Sequence, residues 1–445
     1  MKSILVLGAG RSSSSLIHYL LQEATLHDWQ IIVGDLSLDA AREKVGTHKN
    51  GEGIFFSIDD ENLSRTWIAK AACVISLLPA SLHPKVAKLC LELNKHLLTA
   101  SYISPEMKAM DEEAKQRGLL FLNECGLDPG IDHMSAMQII DKIHAKKGKL
   151  ISFESYTGGL IAPETDPENP WRYKFTWNAR NVVMAGHGTA RFLQDGQFKY
   201  VPYQQLFKRT TPVEVPGFGA YEGYANRDSL QYIATYGLKD LQTMIRGTLR
   251  NKGYCDAWNV LVQLGCCDES YELSGLHEMT HQSFIETYLD SGSGSVEDRL
   301  CEQLNLDKQG EEMKRLRWSG FFSDEKIKLA KGTPAQVVEY ILSKRWTLSP
   351  HDKDMIVMWH RFTYQTADQL HEVQASLVAT GDDATFTAMA KTVGWPLAIA
   401  AKLLMQGKIT ERGVCLPITP SLYEPILQEL DGLGIRMHEA ERRLK

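Results

Sequence analysis

The chain opens on an apolar run, Ile4-Leu5-Val6-Leu7, that passes directly into Gly8-Ala9-Gly10-Arg11-Ser12-Ser13. A run this short reads as a buried strand. Glycines at its end let the backbone turn tightly and approach a pyrophosphate at the N-terminus of the following helix. The third glycine of the usual dinucleotide fingerprint is replaced by Ser13, and Ser12 to Ser15 offer hydroxyls that can cap the helix or touch phosphate. Up to about residue 130, short apolar runs (Ile31 to Val33, Cys73 to Leu78, Leu97 to Ala100, Leu119 to Leu122) alternate with helical patterns. One such pattern carries Leu16, Leu20 and Ala24. Another, after Pro84, carries Val86, Leu89 and Leu93. That alternation is the signature of βαβ units, so the expected fold class is α/β with a parallel-sheet dinucleotide domain over residues 1–130.

Asp35 ends the second strand in Ile31-Ile32-Val33-Gly34-Asp35, about 25 residues beyond the glycines. An acidic side chain there accepts hydrogen bonds from the adenosine ribose and meets a 2'-phosphate with like charge, so NAD is expected, with NADP the alternative. Ligands of open α/β sheets bind at the carboxyl ends of the strands. Two loops there stand out: Leu78 to Pro84, and Glu124-Cys125-Gly126-Leu127-Asp128-Pro129-Gly130-Ile131-Asp132-His133. Asp128 and Tyr102 are candidates for proton transfer, Asp132 for a helix cap, and His83 and His133 carry a weaker catalytic case. Arg227, in Asn226-Arg227-Asp228-Ser229, and Arg246, in Arg246-Gly247-Thr248-Leu249-Arg250, can hold carboxylates in bidentate fashion; surface salt bridging is the plainer alternative.

At 445 residues the chain exceeds a single core. Residues 131–270, rich in Gly, Pro and aromatics and continued by about 346–445, read as a mixed α/β substrate domain, and residues 271–345 as a small helical insertion. An apolar pattern from Phe386 to Leu404, broken at Gly394-Trp395-Pro396, reads as a late helix that packs on the first domain. A net charge of −6 with scattered Lys and Arg excludes a polyanion field, so no nucleic-acid partner is expected. No apolar stretch is long enough to span a membrane, the first residues lack a signal-peptide pattern, and the eight cysteines show no zinc spacing. A cytoplasmic protein without metal follows as the expectation.

These residues also resemble the glutamate-forming saccharopine dehydrogenases, or saccharopine reductases, across nearly the whole chain. The matching blocks are Val74 to Pro79 with His83-Pro84, Thr99 to Pro105, Gly126 to His133, Asn169-Pro170 with Tyr173 to Trp177, Asn226 to Ser229, Arg246 to Arg250 and Ala388 to Gly394. The resemblance implies oxidation of saccharopine by a nicotinamide cofactor and water to glutamate and 2-aminoadipate 6-semialdehyde, or the reverse condensation, by a homodimer. It implies Ser101, Tyr102, Asp128, Arg227, Arg246, Gly247 and Thr248 as substrate contacts. The cofactor would lie against Gly8, Ala9, Gly10, Arg11, Ser12, Asp35, Leu77, Leu78, Thr99, Ala100, Gly126, Leu127, Pro129, Gly130 and Trp177. The family often has Cys between the Tyr and the paired Gly of Tyr156-Thr157-Gly158-Gly159; Thr157 removes a cysteine acid or base here. Rival expectations are a related dehydrogenase such as a carboxynorspermidine dehydrogenase, and a non-catalytic NAD-binding regulator.

Overall fold

The computed structural model describes residues 2–367 and 369–444. It divides into two compact units, residues 2–147 with 381–438, and 148–380 with 439–444.

In the first unit, strands β1 (Lys2–Leu7), β2 (Trp29–Asp35), β3 (Gly51–Phe55), β4 (Cys73–Ser76), β5 (His96–Thr99) and β6 (Leu120–Leu122) join Gly413–Cys415 in one sheet, parallel in every described pairing. Among the described residues the order is Gly413–Cys415, β6, β5, β4, β1, β2, β3. After Lys2, β1 is buried at every position, as a parallel strand covered by helices on both faces must be. Helix α1 (Ser14–His27) buries Leu16, Ile17, Leu20 and Ala24 and ends at Asp28 in the left-handed conformation. Helices α2 (Leu38–Val45), α3 (Glu61–Lys70) and α4 (His83–Glu92) follow β2, β3 and β4; α4 takes Pro84 in its first turn, where no N–H is missed. Strands β3 and Gly413–Cys415 escape a hydropathy reading, because Gly51-Glu52-Gly53 and a three-residue run carry no apolar signal.

The first unit is larger than the sequence suggests. Helix Ile131–Ala145 belongs to it rather than to the second domain, with Tyr423 Oη donating to Asp141 Oδ2 at 2.6 Å. The late helix Ala388–Met405 belongs to it as well and packs on α1. It does not break at Gly394-Trp395-Pro396: a Cβ at Gly394 would lie 3.0 Å from the Leu16 backbone, so glycine permits a close helix crossing whose burial outweighs the lost Pro396 hydrogen bond.

The second unit is built on a mixed sheet. Strands β7 (Lys149–Ile161) and β12 (Thr243–Asn251) lie parallel at its centre. To one side run β11 (Gly219–Ala225) and β10 (Thr211–Val215); to the other run Asp354–Thr366, Gln369–Thr380 and His438–Arg443. A hairpin of β8 (Thr189–Gln194) and β9 (Gln197–Pro202) attaches to β12. Helices His281–Glu286, Val296–Leu304, Glu311–Ser319 and Pro334–Trp346 fill the stretch read as a helical insertion. Phe284, Leu300, Met313, Leu316 and Ile341 share one buried cluster with Leu160, Leu249 and Trp359 of the sheet strands, so these helices are a layer of the second unit rather than a subdomain with its own core.

Candidate active site

The candidate cofactor residues other than Trp177 gather at the carboxyl ends of the first unit's strands. Gly8 turns at φ +106°, with its N–H donating to Gly34 O at 2.8 Å. Side chains are absent where they would obstruct a ligand: a Cβ at Gly10 would have no neighbour within 4 Å. Gly10 and Arg11 are exposed and Ser12 is half-buried, which leaves this turn open to a pyrophosphate. Asp35, half-buried at the end of β2, accepts from Ala9 N–H with Oδ2 at 2.7 Å and from Ser37 N–H with Oδ1 at 2.9 Å. The carboxylate therefore braces the glycine turn with two of its acceptor sites and retains others for a ribose. The serines do not cap α1 as expected: Ser13 Oγ donates to Gly10 O at 2.8 Å, and Ser14 Oγ accepts from Lys44 Nζ at 2.7 Å. Leu77 and Leu78, both half-buried, follow β4, and the Leu77 carbonyl packs under the Gly8 turn. These groups fit a dinucleotide.

The two candidate proton-transfer groups meet. Tyr102 Oη donates to Asp128 Oδ1 at 2.9 Å, joining the loop after β5 to the loop after β6, and both side chains are half-buried. A buried polar cluster holds these loops. Glu124 Oε1 accepts from Ile103 N–H at 3.0 Å, and its Oε2 lies 2.8 Å from His133 Nε2. His133 Nδ1 lies 3.8 Å from Asp132 Oδ2, and Asp132 Oδ1 accepts from Gly130 N–H at 2.6 Å. Asp132 thus stands inside the first helical turn rather than at its cap, where the helix dipole favours an anion. Within the second loop, Gly126 N–H donates to Pro129 O at 2.9 Å; Leu127, Pro129 and Gly130 are buried. Thr99 is buried, and Ala100 and Ser101 are half-buried. His83, also buried, lies with Nδ1 2.9 Å from Ser76 Oγ and Nε2 2.8 Å from Ser101 Oγ, and burial lowers its pKa to about 4.

In the second unit, Arg227 is exposed in the left-handed region at φ +46°, its carbonyl accepting from Arg191 N–H at 2.8 Å. Arg246 is not a surface side chain, as salt bridging would require: it is 5% exposed, with its guanidinium 4.2 Å from the Tyr232 ring centre. Its N–H donates to Ser229 Oγ at 2.9 Å, while Thr248 Oγ1 accepts from Asn226 Nδ2 at 3.1 Å, so the Asn226 to Ser229 and Arg246 to Arg250 blocks interlock. Sequence reasoning left Arg250 out of the site. It is buried, with its guanidinium 5.0, 5.9 and 5.1 Å from the Tyr173, Tyr224 and Tyr254 rings and donating to Leu249 O at 3.0 Å. The available signal was strand alternation, which puts residues 246, 248 and 250 on one face of β12. Trp177 is half-buried against the second unit's aromatic core. Thr157, buried, pairs with Thr248 across β7 and β12. The described residues hold no cluster of three or more His, Cys, Asp or Glu suited to a metal.

A parallel sheet in the order above, with a glycine turn after β1 and an acid after β2, defines a Rossmann-type dinucleotide-binding domain joined to a mixed α/β domain. Two family models match the chain in succession, the saccharopine dehydrogenase NADP binding domain over residues 4–122 and the saccharopine dehydrogenase C-terminal domain over residues 126–435. The chain belongs to the saccharopine dehydrogenase family. It is 33% identical to the saccharopine dehydrogenase [NADP(+), L-glutamate-forming] of Saccharomyces cerevisiae, over 98% of this chain and 99% of that one. It is also 35% identical to the mitochondrial alpha-aminoadipic semialdehyde synthase of Bos taurus, over 100% of this chain and 48% of that protein. The chain thus spans about half the length of the plant and mammalian synthases it matches. The solved apo saccharopine dehydrogenase (L-Glu forming) of Saccharomyces cerevisiae superposes with a TM-score of 0.88 at 31% identity, over 99% of this chain and 100% of that one.

Proposed function

We propose that this chain oxidises the secondary amine of saccharopine and, with water, releases glutamate and 2-aminoadipate 6-semialdehyde, or runs the reverse condensation. The observation that carries this reading is the Tyr102–Asp128 hydrogen bond at the strand ends. Imine formation and hydrolysis need a group that takes a proton from nitrogen or water and returns it, and a carboxylate within reach of a phenol does so. Asp128 and Tyr102 hold that proton. By the resemblance, the groups assigned to the substrate's carboxylates are Ser101 in the first unit and, in the second unit, Arg227, Arg246 and the Gly247-Thr248 segment. Gly8, Ala9, Gly10, Arg11, Ser12, Asp35, Leu77, Leu78, Thr99, Ala100, Gly126, Leu127, Pro129, Gly130 and Trp177 hold the nicotinamide cofactor, which when bound supplies the hydride acceptor.

We read the cofactor as NAD, on Asp35. The fungal relatives carry NADP(+) in their names, so NADP is the second reading. Free thiols at all eight cysteines support a reducing compartment, read as the cytoplasm. The family resemblance supports a homodimer, which sedimentation tests. The function itself is tested by mixing the purified protein with saccharopine and either cofactor and following nicotinamide reduction. Turnover with saccharopine is the expected result. No reduction with either cofactor at neutral or alkaline pH refutes the assignment, and turnover of carboxynorspermidine instead transfers it to the polyamine relatives.

A further inference from the structure

His83 is the first residue of α4 and is only 3% exposed, and among the described residues its ring nitrogens meet hydroxyls rather than a carboxylate. It sits between the ends of two neighbouring strands. On one side lies Ser76, the last residue of β4 and wholly buried, with Oγ 2.9 Å from Nδ1. On the other side lie Ser101 Oγ at 2.8 Å and Thr99 Oγ1 at 3.2 Å, both from Nε2. Thr99 Oγ1 in turn accepts from Ser101 N–H at 3.2 Å, so the backbone and side chain of Ser101 are tied to the same cluster.

We propose that His83 is a positioning residue: its imidazole, seated between Ser76 and Ser101, fixes the Ser101 hydroxyl so that its O–H is presented to a carboxylate of the substrate. This rests on the function proposed above. Ser76 is wholly buried, and among the described residues its hydroxyl proton meets the ring nitrogen, so the hydroxyl is assigned as the donor and Nδ1 as the acceptor. Nδ1 is then the acceptor and the single ring proton sits on Nε2, aimed at Ser101 Oγ. Burial keeps the ring neutral at physiological pH, so it carries one N–H and not two. With an Oγ lone pair engaged by Nε2–H, the Ser101 proton turns away from His83 and donates outward. A serine without such a partner rotates among its rotamers and must be ordered at the moment of binding, at a cost to affinity.

The test is a double-mutant cycle on the active enzyme with His83→Leu, Ser101→Ala and the double variant, read as KM for saccharopine and as cofactor affinity by nicotinamide fluorescence. Each single change is expected to raise KM about tenfold or more, the scale of one hydrogen bond to a charged group. The double variant is expected to be no worse than Ser101→Ala alone, with cofactor affinity unchanged, because His83 acts through Ser101. Ser76→Ala, a smaller change that serves should His83→Leu not fold, is expected to raise KM several-fold in the wild-type background and not at all in Ser101→Ala. Additive losses in either cycle, or a parallel fall in cofactor affinity, overturn the proposal while leaving the proposed function standing. A wild-type protein that does not turn over saccharopine overturns both.

Discussion

Replacing Asp35 with Asn removes one charge and almost no volume, which makes it a sharp probe of cofactor choice. In the fold the carboxylate accepts two backbone N–H groups, Ala9 at 2.7 Å and Ser37 at 2.9 Å. An amide has one oxygen and one NH2, so one backbone donor would face another donor, costing roughly 1–3 kcal/mol of stability. The effect on binding has the opposite sign for the two cofactors. Two unit charges 4 Å apart at an effective dielectric constant of 20 repel by about 4 kcal/mol. A 2'-phosphate carries more than one charge, but Asp35 is half-exposed and screened, so roughly 1.5–3 kcal/mol is the fraction expected to survive. That corresponds to a gain of about tenfold to a hundredfold in kcat/KM for NADP. NAD should lose about tenfold as a charge-assisted ribose hydrogen bond becomes a neutral one. The assay is saccharopine oxidation with each cofactor, wild type against variant, with urea unfolding as the folding control. A ratio of NAD to NADP efficiencies that moves by less than about threefold refutes the electrostatic argument.

Four further outcomes are expected. Asp128→Asn should lower kcat by about a hundredfold with the fold intact by circular dichroism, the scale of a lost acid or base; wild-type turnover would take Asp128 out of proton transfer. Tyr102→Phe, which deletes the 2.9 Å bond to Asp128, should shift the pH profile of kcat/KM, and an unmoved profile would separate the phenol from the carboxylate. Gly247→Ala would place a Cβ 2.4 Å from Tyr224 O and 2.5 Å from the Tyr156 ring, and should cost roughly 1–3 kcal/mol in a denaturant melt. For pH, the folded His83 pKa of about 4 lies below its ordinary 6.5, so the unfolded chain binds the proton first. Stability is then flat above about pH 6.5 and falls as pH drops towards 4, by about 3 kcal/mol, and His83→Gln should flatten that slope in melts taken across the range.

Much of the first unit was legible in the sequence because its signals are local. Apolar runs of three to six residues, a glycine turn and an acid at the end of β2 each encode their own conformation, and β1, β2, β4, β5 and β6 lie where those runs fall. Asp128, Tyr102 and Arg227 could likewise be selected by residue type and loop position, and Arg246 by residue type beside Gly247 and Thr248. Strand β3 could not, since its glycines and glutamate are tolerated only because β2 pairs with them. The break anticipated at Pro396 failed for the same reason: packing between α1 and Ala388–Met405 decides the matter, and no local propensity records it. The backbone groups that Asp35 braces, the meeting of Tyr102 with Asp128, the burial of Arg246 and Arg250, and the seat of His83 between two serines are set by how the chain folds and not by any one local run. The sequence by itself determined the nucleotide turn, the α/β class and the set of chemical groups. Tertiary structure alone decided their pairing, because hydrogen-bond geometry and desolvation exist only once separate strands bring their ends together.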